Sequence, residues 1–215
     1  LISLGELHKK YLHLDLHPGN IFLENFDFET MTAGFAKFID FYSAVKINEE
    51  GKGIKKEHLS FTNGFTAPEQ LNSNQVIFTA SADTYAVAAI TARMFLGKDF
   101  LSKTEELDAG YGKELIYHGQ NPLLDILLRK FLICGLEYSE DYRFTDTDKM
   151  RKTLSTLMES IQVYKTSDYY RLFELAYSML VSRSEINIDG LKFDGRSFSA
   201  SVAALSGSLY QREPN

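Results

Sequence analysis

The stretch His13-Leu14-Asp15-Leu16-His17-Pro18-Gly19-Asn20 limits the fold more than any other segment. Pro18 has no backbone N–H and Gly19 is conformationally permissive, so no helix runs through it. What flanks it must be separate elements. Upstream, Leu1, Leu4, Leu7 and Tyr11 recur at helical spacing, with Ile2 and Leu12 beside them, and predict a helix over 1–12. Downstream, Ile21-Phe22-Leu23-Glu24 reads as a short strand, 25–35 as a turn region, and 36–40 as a second strand, together a hairpin-like pair beside the polar loop.

Residues 43–66 are polar and carry Gly51, Gly53 and Gly64, and they read as a long mobile loop. Helices are predicted over 68–72, 79–96, 122–136, 146–160 and 163–184. The 79–96 stretch is apolar on nearly all faces and belongs in a core. Residues 186–195 carry two alternating triplets around Asp189-Gly190, the pattern of a hairpin. The small-residue-rich end reads as a helix or a frayed tail. The fold class is therefore mainly α with a small β hairpin, α+β overall.

The 215 residues suffice for one large domain, or a domain with an extension, and 44% hydrophobic content supports a core. A net charge of −6 offers no general electrostatic reason to bind nucleic acid or an anionic membrane. The single cysteine, Cys134, excludes an intrachain disulfide and fits a reducing, cytoplasmic setting. It lies in an apolar run and reads as a buried structural thiol. That run carries Asp125, Arg129 and Lys130 and is too short to span a bilayer. The chain opens inside a predicted helix, without Met, and reads as the continuation of a longer one.

The loop's residues allow three chemistries. His13, Asp15 and His17 alternate as zinc ligands on a strand would, but Pro18-Gly19 breaks the strand and no further histidine or cysteine cluster completes a site. A plain polar turn is the second reading. A catalytic loop is the third, and the remainder of the chain favours it. Asp15 precedes Asn20, a strand follows, the second strand ends on Asp40, and Ala67-Pro68-Glu69, Asp83 and Arg143 come later in order.

These pieces resemble the protein kinase signature H-R-D-L-x-x-x-N, D-F-G and A-P-E. The matches are His13-Leu14-Asp15-Leu16 with Asn20, then Asp40-Phe41-Tyr42, then Ala67-Pro68-Glu69. The resemblance implies a helical C-terminal lobe over 1–162 and a C-terminal extension of unassigned role over 163–215. It implies Asp15 as the base that accepts a substrate hydroxyl proton, and Asn20 and Asp40 as Mg²⁺ ligands in an ATP site. Thr62 is implied as a partner of Asp15 and as a mark of Ser/Thr-type ancestry, with a protein substrate. His13 is implied to pack under the metal-binding loop. Glu69 and Arg143 are implied as an ion pair and Asp83 as the anchor of the catalytic-loop backbone. The plainer readings are a capped helix start near Thr66 and Pro68, and an Asp83 favoured only by the helix macrodipole.

His17 stands where many Ser/Thr kinases have a lysine, and it contacts phosphate only as a cation or a neutral donor. His17-Pro18-Gly19 also occurs in small-molecule kinases, which keeps that substrate class as a rival. Leu14 replaces the arginine that usually receives an activation-loop phosphate. Tyr42 replaces the glycine of D-F-G and is expected to restrict the segment. The Gly-rich loop, the V-A-I-K lysine and its glutamate are expected upstream of residue 1. A pseudokinase or protein-interaction module is the other rival.

Overall fold

The computed structural model describes residues 1–27, 29, 34–54, 59–72, 74, 76–96, 122–165, 187–188 and 191–192. In chain order the elements are α1 (Ile2–Leu7), β1 (Tyr11–Leu12), a 3₁₀ turn at Pro18–Asn20, β2 (Ile21–Glu24), β3 (Phe35–Phe38), β4 (Val45–Lys46) and β5 (Gly53–Ile54). There follow α2 (Pro68–Leu71), β6 (Ile77–Phe78), α3 (Ala80–Leu96), α4 (Pro122–Leu136), a 3₁₀ turn at Glu140–Tyr142, α5 (Thr147–Lys165), β7 (Asn187–Ile188) and β8 (Leu191–Lys192). The fold is helices with small antiparallel sheets, as expected.

The core forms around α3. Ala82, Ala88, Ala89 and Ala92 of α3 pack with Leu127, Phe131, Leu132 and Leu136 of α4, and Phe144, Met150 and Leu157 close the cluster. Alanines let helix axes approach closely, and Gly135 brings them closer still. A Cβ built at Gly135 would overlap the Ala88 Cβ. None of the described helices is long and apolar enough to cross a membrane. Cys134 is partly buried against this core.

Four two-stranded antiparallel sheets form among the described residues: β1 with β4, β2 with β3, β5 with β6, and β7 with β8. The β2–β3 pair is the expected hairpin, in register from Ile21 opposite Phe38 to Glu24 opposite Phe35. The β7–β8 pairing matches the expected second hairpin, with Asn187 opposite Lys192 and Ile188 opposite Leu191.

Three expectations need correction. The first helix ends at Leu7 rather than 12, because Tyr11 and Leu12 pair with Lys46 and Val45. Leu12 is buried in the main core. Over two residues a strand with one buried side chain and a helical face share a pattern, so only the distant partner decides. The 43–66 segment is not one loop. It holds β4 and β5, joined by a turn in which Asn48 Oδ1 accepts the N–H of Glu50 and of Lys52. Its polar composition hid strands whose partners are backbone. The helix predicted over 146–160 runs further: α5 extends from Thr147 to Lys165, past the boundary expected at 162. The rest of the 163–184 helix and the C-terminal stretch lie outside the described residues.

The Gly135 contact yields a test. Helix propensity favours Gly135→Ala by about 1 kcal/mol, whereas overpacking costs about 1–3 kcal/mol. Because the obstructing atom is a Cβ fixed to backbone, overpacking wins and Gly135→Ala lowers the urea-unfolding free energy; an unchanged or raised midpoint refutes the close α3–α4 contact.

Candidate active site

The polar loop is anchored by its own alternation. Leu12, Leu14 and Leu16 are all buried, Leu16 against Leu4 and Ala86, and each contributes about 1.5–3 kcal/mol. Their burial leaves Asp15 and His17 half-exposed between them, while His13 is buried. His13 stacks edge-on to Phe38 at 6.0 Å between ring centroids and lies 5.0 Å from Phe41. Its Nε2 donates to the Ile39 carbonyl at 3.1 Å, so the ring ties the loop to the end of β3.

Leu14 sits at φ 62°, a left-handed backbone that costs a non-glycine residue about 1–2 kcal/mol. Asp83, in the first turn of α3, supplies the compensation. Its Oδ2 accepts the His13 N–H and its Oδ1 the Leu14 N–H, both at 2.8 Å. Hydrogen bonds to a charged group contribute about 1.5–3 kcal/mol each, so the pair outweighs the strain. The macrodipole reading of Asp83 is thus incomplete, since its carboxylate is 1% exposed and turned onto the loop.

The loop's candidate site groups then fall together. Thr62 Oγ1 donates to Asp15 Oδ1 at 2.8 Å. Asn20 Nδ2 donates to the Asp15 carbonyl at 2.9 Å, which leaves the Asn20 Oδ1 as an available hard oxygen. Ile39 N–H donates to the Asn20 carbonyl at 3.0 Å and sets Asp40 beside Asn20. Asp40 is exposed and its Oδ1 accepts the Tyr42 N–H at 3.3 Å.

A family model described as the protein kinase domain matches residues 2–168. The chain belongs to the protein kinase family. A search among curated proteins finds no match to the sequence.

Two departures from the kinase motifs have a structural account. Leu14 fills the arginine position with a buried apolar side chain, so that position presents no cation to a phosphate. Tyr42 occupies the glycine position without a left-handed backbone. The left-handed residue is Asp40, at φ 58°, and Tyr42 is not among the positive-φ residues, so no glycine is required there. Tyr42, Phe41 and Phe22 are exposed beside the site.

Glu69 and Arg143 meet at 2.5 Å, and the Arg143 side chain is fully buried, over the Tyr85 ring at 5.4 Å. His17 caps the 3₁₀ turn: its Nδ1 accepts the Gly19 N–H at 3.2 Å, so in this geometry the ring proton is on Nε2. A Cβ at Gly19 would crowd the His17 Cε1 at 2.8 Å. His13 and His17 therefore face different neighbours and do not share one face, as a strand-borne zinc pair would.

Sequence reasoning missed His8, Gln70 and the Ser43–Ser60 tie. His8 Nε2 lies 2.8 Å from Asp83 Oδ2, and because a carboxylate only accepts, that nitrogen carries the proton. Ser43 Oγ accepts the Ser60 N–H at 2.7 Å and joins the two ends of the segment between Asp40 and Thr62. Gln70 Nε2 donates to the Leu14 carbonyl at 2.7 Å. These partners are 75, 17 and 56 residues apart, so no local pattern marks them.

Asp83→Ala removes the acceptor for two buried N–H groups and is expected to cost about 3–5 kcal/mol in chemical unfolding. Asp83→Asn, which keeps one oxygen, costs less. Wild-type stability in the alanine variant refutes the anchoring role.

Proposed function

We propose that the chain supplies the catalytic lobe for ATP- and Mg²⁺-dependent phosphoryl transfer to a Ser or Thr hydroxyl of a protein substrate, with Asp15 as the base. The observation that carries this reading is the Asp15 carboxylate, half-exposed and oriented by the Thr62 hydroxyl at 2.8 Å in a loop braced by Asn20. An oriented carboxylate within reach of a substrate hydroxyl is what such a transfer requires of a protein, since most of its catalysis is positioning and charge neutralisation. The hydroxyl proton passes to Asp15, the hydroxyl oxygen bonds the γ-phosphorus, and the bond to the ADP oxygen breaks.

Asn20 Oδ1 and Asp40 fit a magnesium ion, being hard oxygens on adjoining chain segments. A Mg²⁺ ion held by these two residues would supply charge neutralisation on the phosphates. His17 contributes a neutral Nε2–H beside the loop. His13, Asp83 and the Glu69–Arg143 pair hold the frame. Thr62 supports a Ser/Thr-type protein substrate, and the single cysteine supports a reducing, cytoplasmic setting.

Phosphate transfer by the full-length protein from ATP with Mg²⁺ to a Ser/Thr peptide library tests the reading. Asp15→Asn is expected to lower kcat by about 10²–10⁴-fold, and Asp40→Asn to raise the Mg²⁺ concentration needed for half-maximal rate. A wild-type rate no faster than that of Asp15→Asn sinks the enzyme reading in favour of a binding module. Transfer to aminoglycosides or choline-like alcohols but to no peptide moves the substrate to the small-molecule class.

A further inference from the structure

We infer that Thr66 and Gln70, which flank the Ala67-Pro68-Glu69 motif, are positioning residues that set Asp15 from two sides. The inference rests on the reading of Asp15 as the base. It concerns two side chains to which the motif itself gives no task.

Thr66 acts through Thr62. The Thr66 hydroxyl accepts the Thr62 N–H at 2.9 Å and donates to the Thr62 carbonyl at 3.0 Å. A hydroxyl has one donor and two acceptor positions, so one group brackets both sides of the Thr62 Cα and restrains its backbone. The carbonyl is held again by the N–H of Phe65 at 3.0 Å and of Thr66 at 3.2 Å, but the Thr62 N–H depends on the Thr66 hydroxyl. That restraint points the Thr62 hydroxyl at Asp15 Oδ1. Thr66 is thus not the helix cap its place before Pro68 predicts. The residue before α2 is Ala67, whose N–H goes to Gln70 Oε1 at 3.1 Å.

Gln70 acts through Leu14. Its side chain is 2% exposed and both ends are engaged, Oε1 on Ala67 and Nε2 on the Leu14 carbonyl at 2.7 Å. Leu14 has the left-handed backbone immediately before Asp15, and its N–H is already held by Asp83. With Gln70 on the carbonyl, both polar groups of the strained residue are fixed. Thr62, Thr66 and Gln70 recur every four residues, so one short segment holds the carboxylate through Thr62 and the preceding peptide through Leu14.

The test compares Thr66→Val, which keeps the shape and loses the hydroxyl, Thr66→Ser, which keeps it, and Gln70→Met, which loses both side-chain hydrogen bonds. Thr66→Val and Gln70→Met are expected to lower kcat by about 10- to 100-fold with little change in the KM for ATP. Thr66→Ser is expected to restore the rate. Crystal structures of the variants supply an activity-independent measure: the Thr62–Asp15 bond opens in Thr66→Val, and Leu14 leaves positive φ or rotates its carbonyl in Gln70→Met. Should Thr66→Val fail to fold, Thr66→Ala takes its place. An unchanged kcat, equal losses in Thr66→Ser and Thr66→Val, or an undisturbed Asp15 in both crystal structures overturns the inference. If the wild type transfers no phosphate, the proposed function falls, and the structural measure alone still decides whether the two side chains set Asp15.

Discussion

One buried carboxylate holds the site together. Asp83 accepts hydrogen bonds from the His13 and Leu14 backbone and lies against the His8 ring. Without it, the Leu14 N–H loses the partner that helps to offset its left-handed backbone, and Asp15 follows Leu14 directly. Asp83 can do this because α3 is itself immobilised. Its alanines are enclosed by α4, Phe144 and α5 in the main core. The loop geometry is thus transmitted from a helix packed in the main core through the Asp83 carboxylate.

The remaining supports act on the same few atoms. His13 ties the loop to the Ile39 carbonyl, Asn20 to the Asp15 carbonyl, and Thr62 to the Asp15 carboxylate. Glu69 and Arg143 fasten the segment after Thr62 to the turn that precedes α5. A buried pair of this kind fixes geometry more surely than it adds net stability, because desolvation offsets much of the Coulombic attraction. The segment between Asp40 and Thr62 is held by β1–β4 and β5–β6 pairing and by the Ser43–Ser60 bond. These are neutral ties, and the Leu14 position offers no charge for a phosphate to engage.

The legible parts of this chain were those with local cause. The β2–β3 hairpin follows from an apolar run on each side of a polar turn, and α3 from apolar residues on all faces. The break at Pro18-Gly19 follows from the proline ring. What was misread had distant causes. Tyr11 and Leu12 left the helix because Val45 and Lys46 offered strand partners, and Gly53 and Ile54 became a strand because Ile77 and Phe78 did.

The sequence by itself determined the order of the motifs, the family they belong to, and which side chains stand at the motif positions. Spacing along the chain is enough for that, since each motif is a short string of chemical types. Tertiary structure alone decided who holds them. It decided that Asp40, not Tyr42, takes the left-handed backbone, that His17 turns its Nδ1 onto Gly19, that His8 reaches Asp83, and that Gln70 reaches the Leu14 carbonyl. Hydrogen bonds between residues 56 or 75 positions apart depend on how packed helices and loops meet, and no local pattern carries that information.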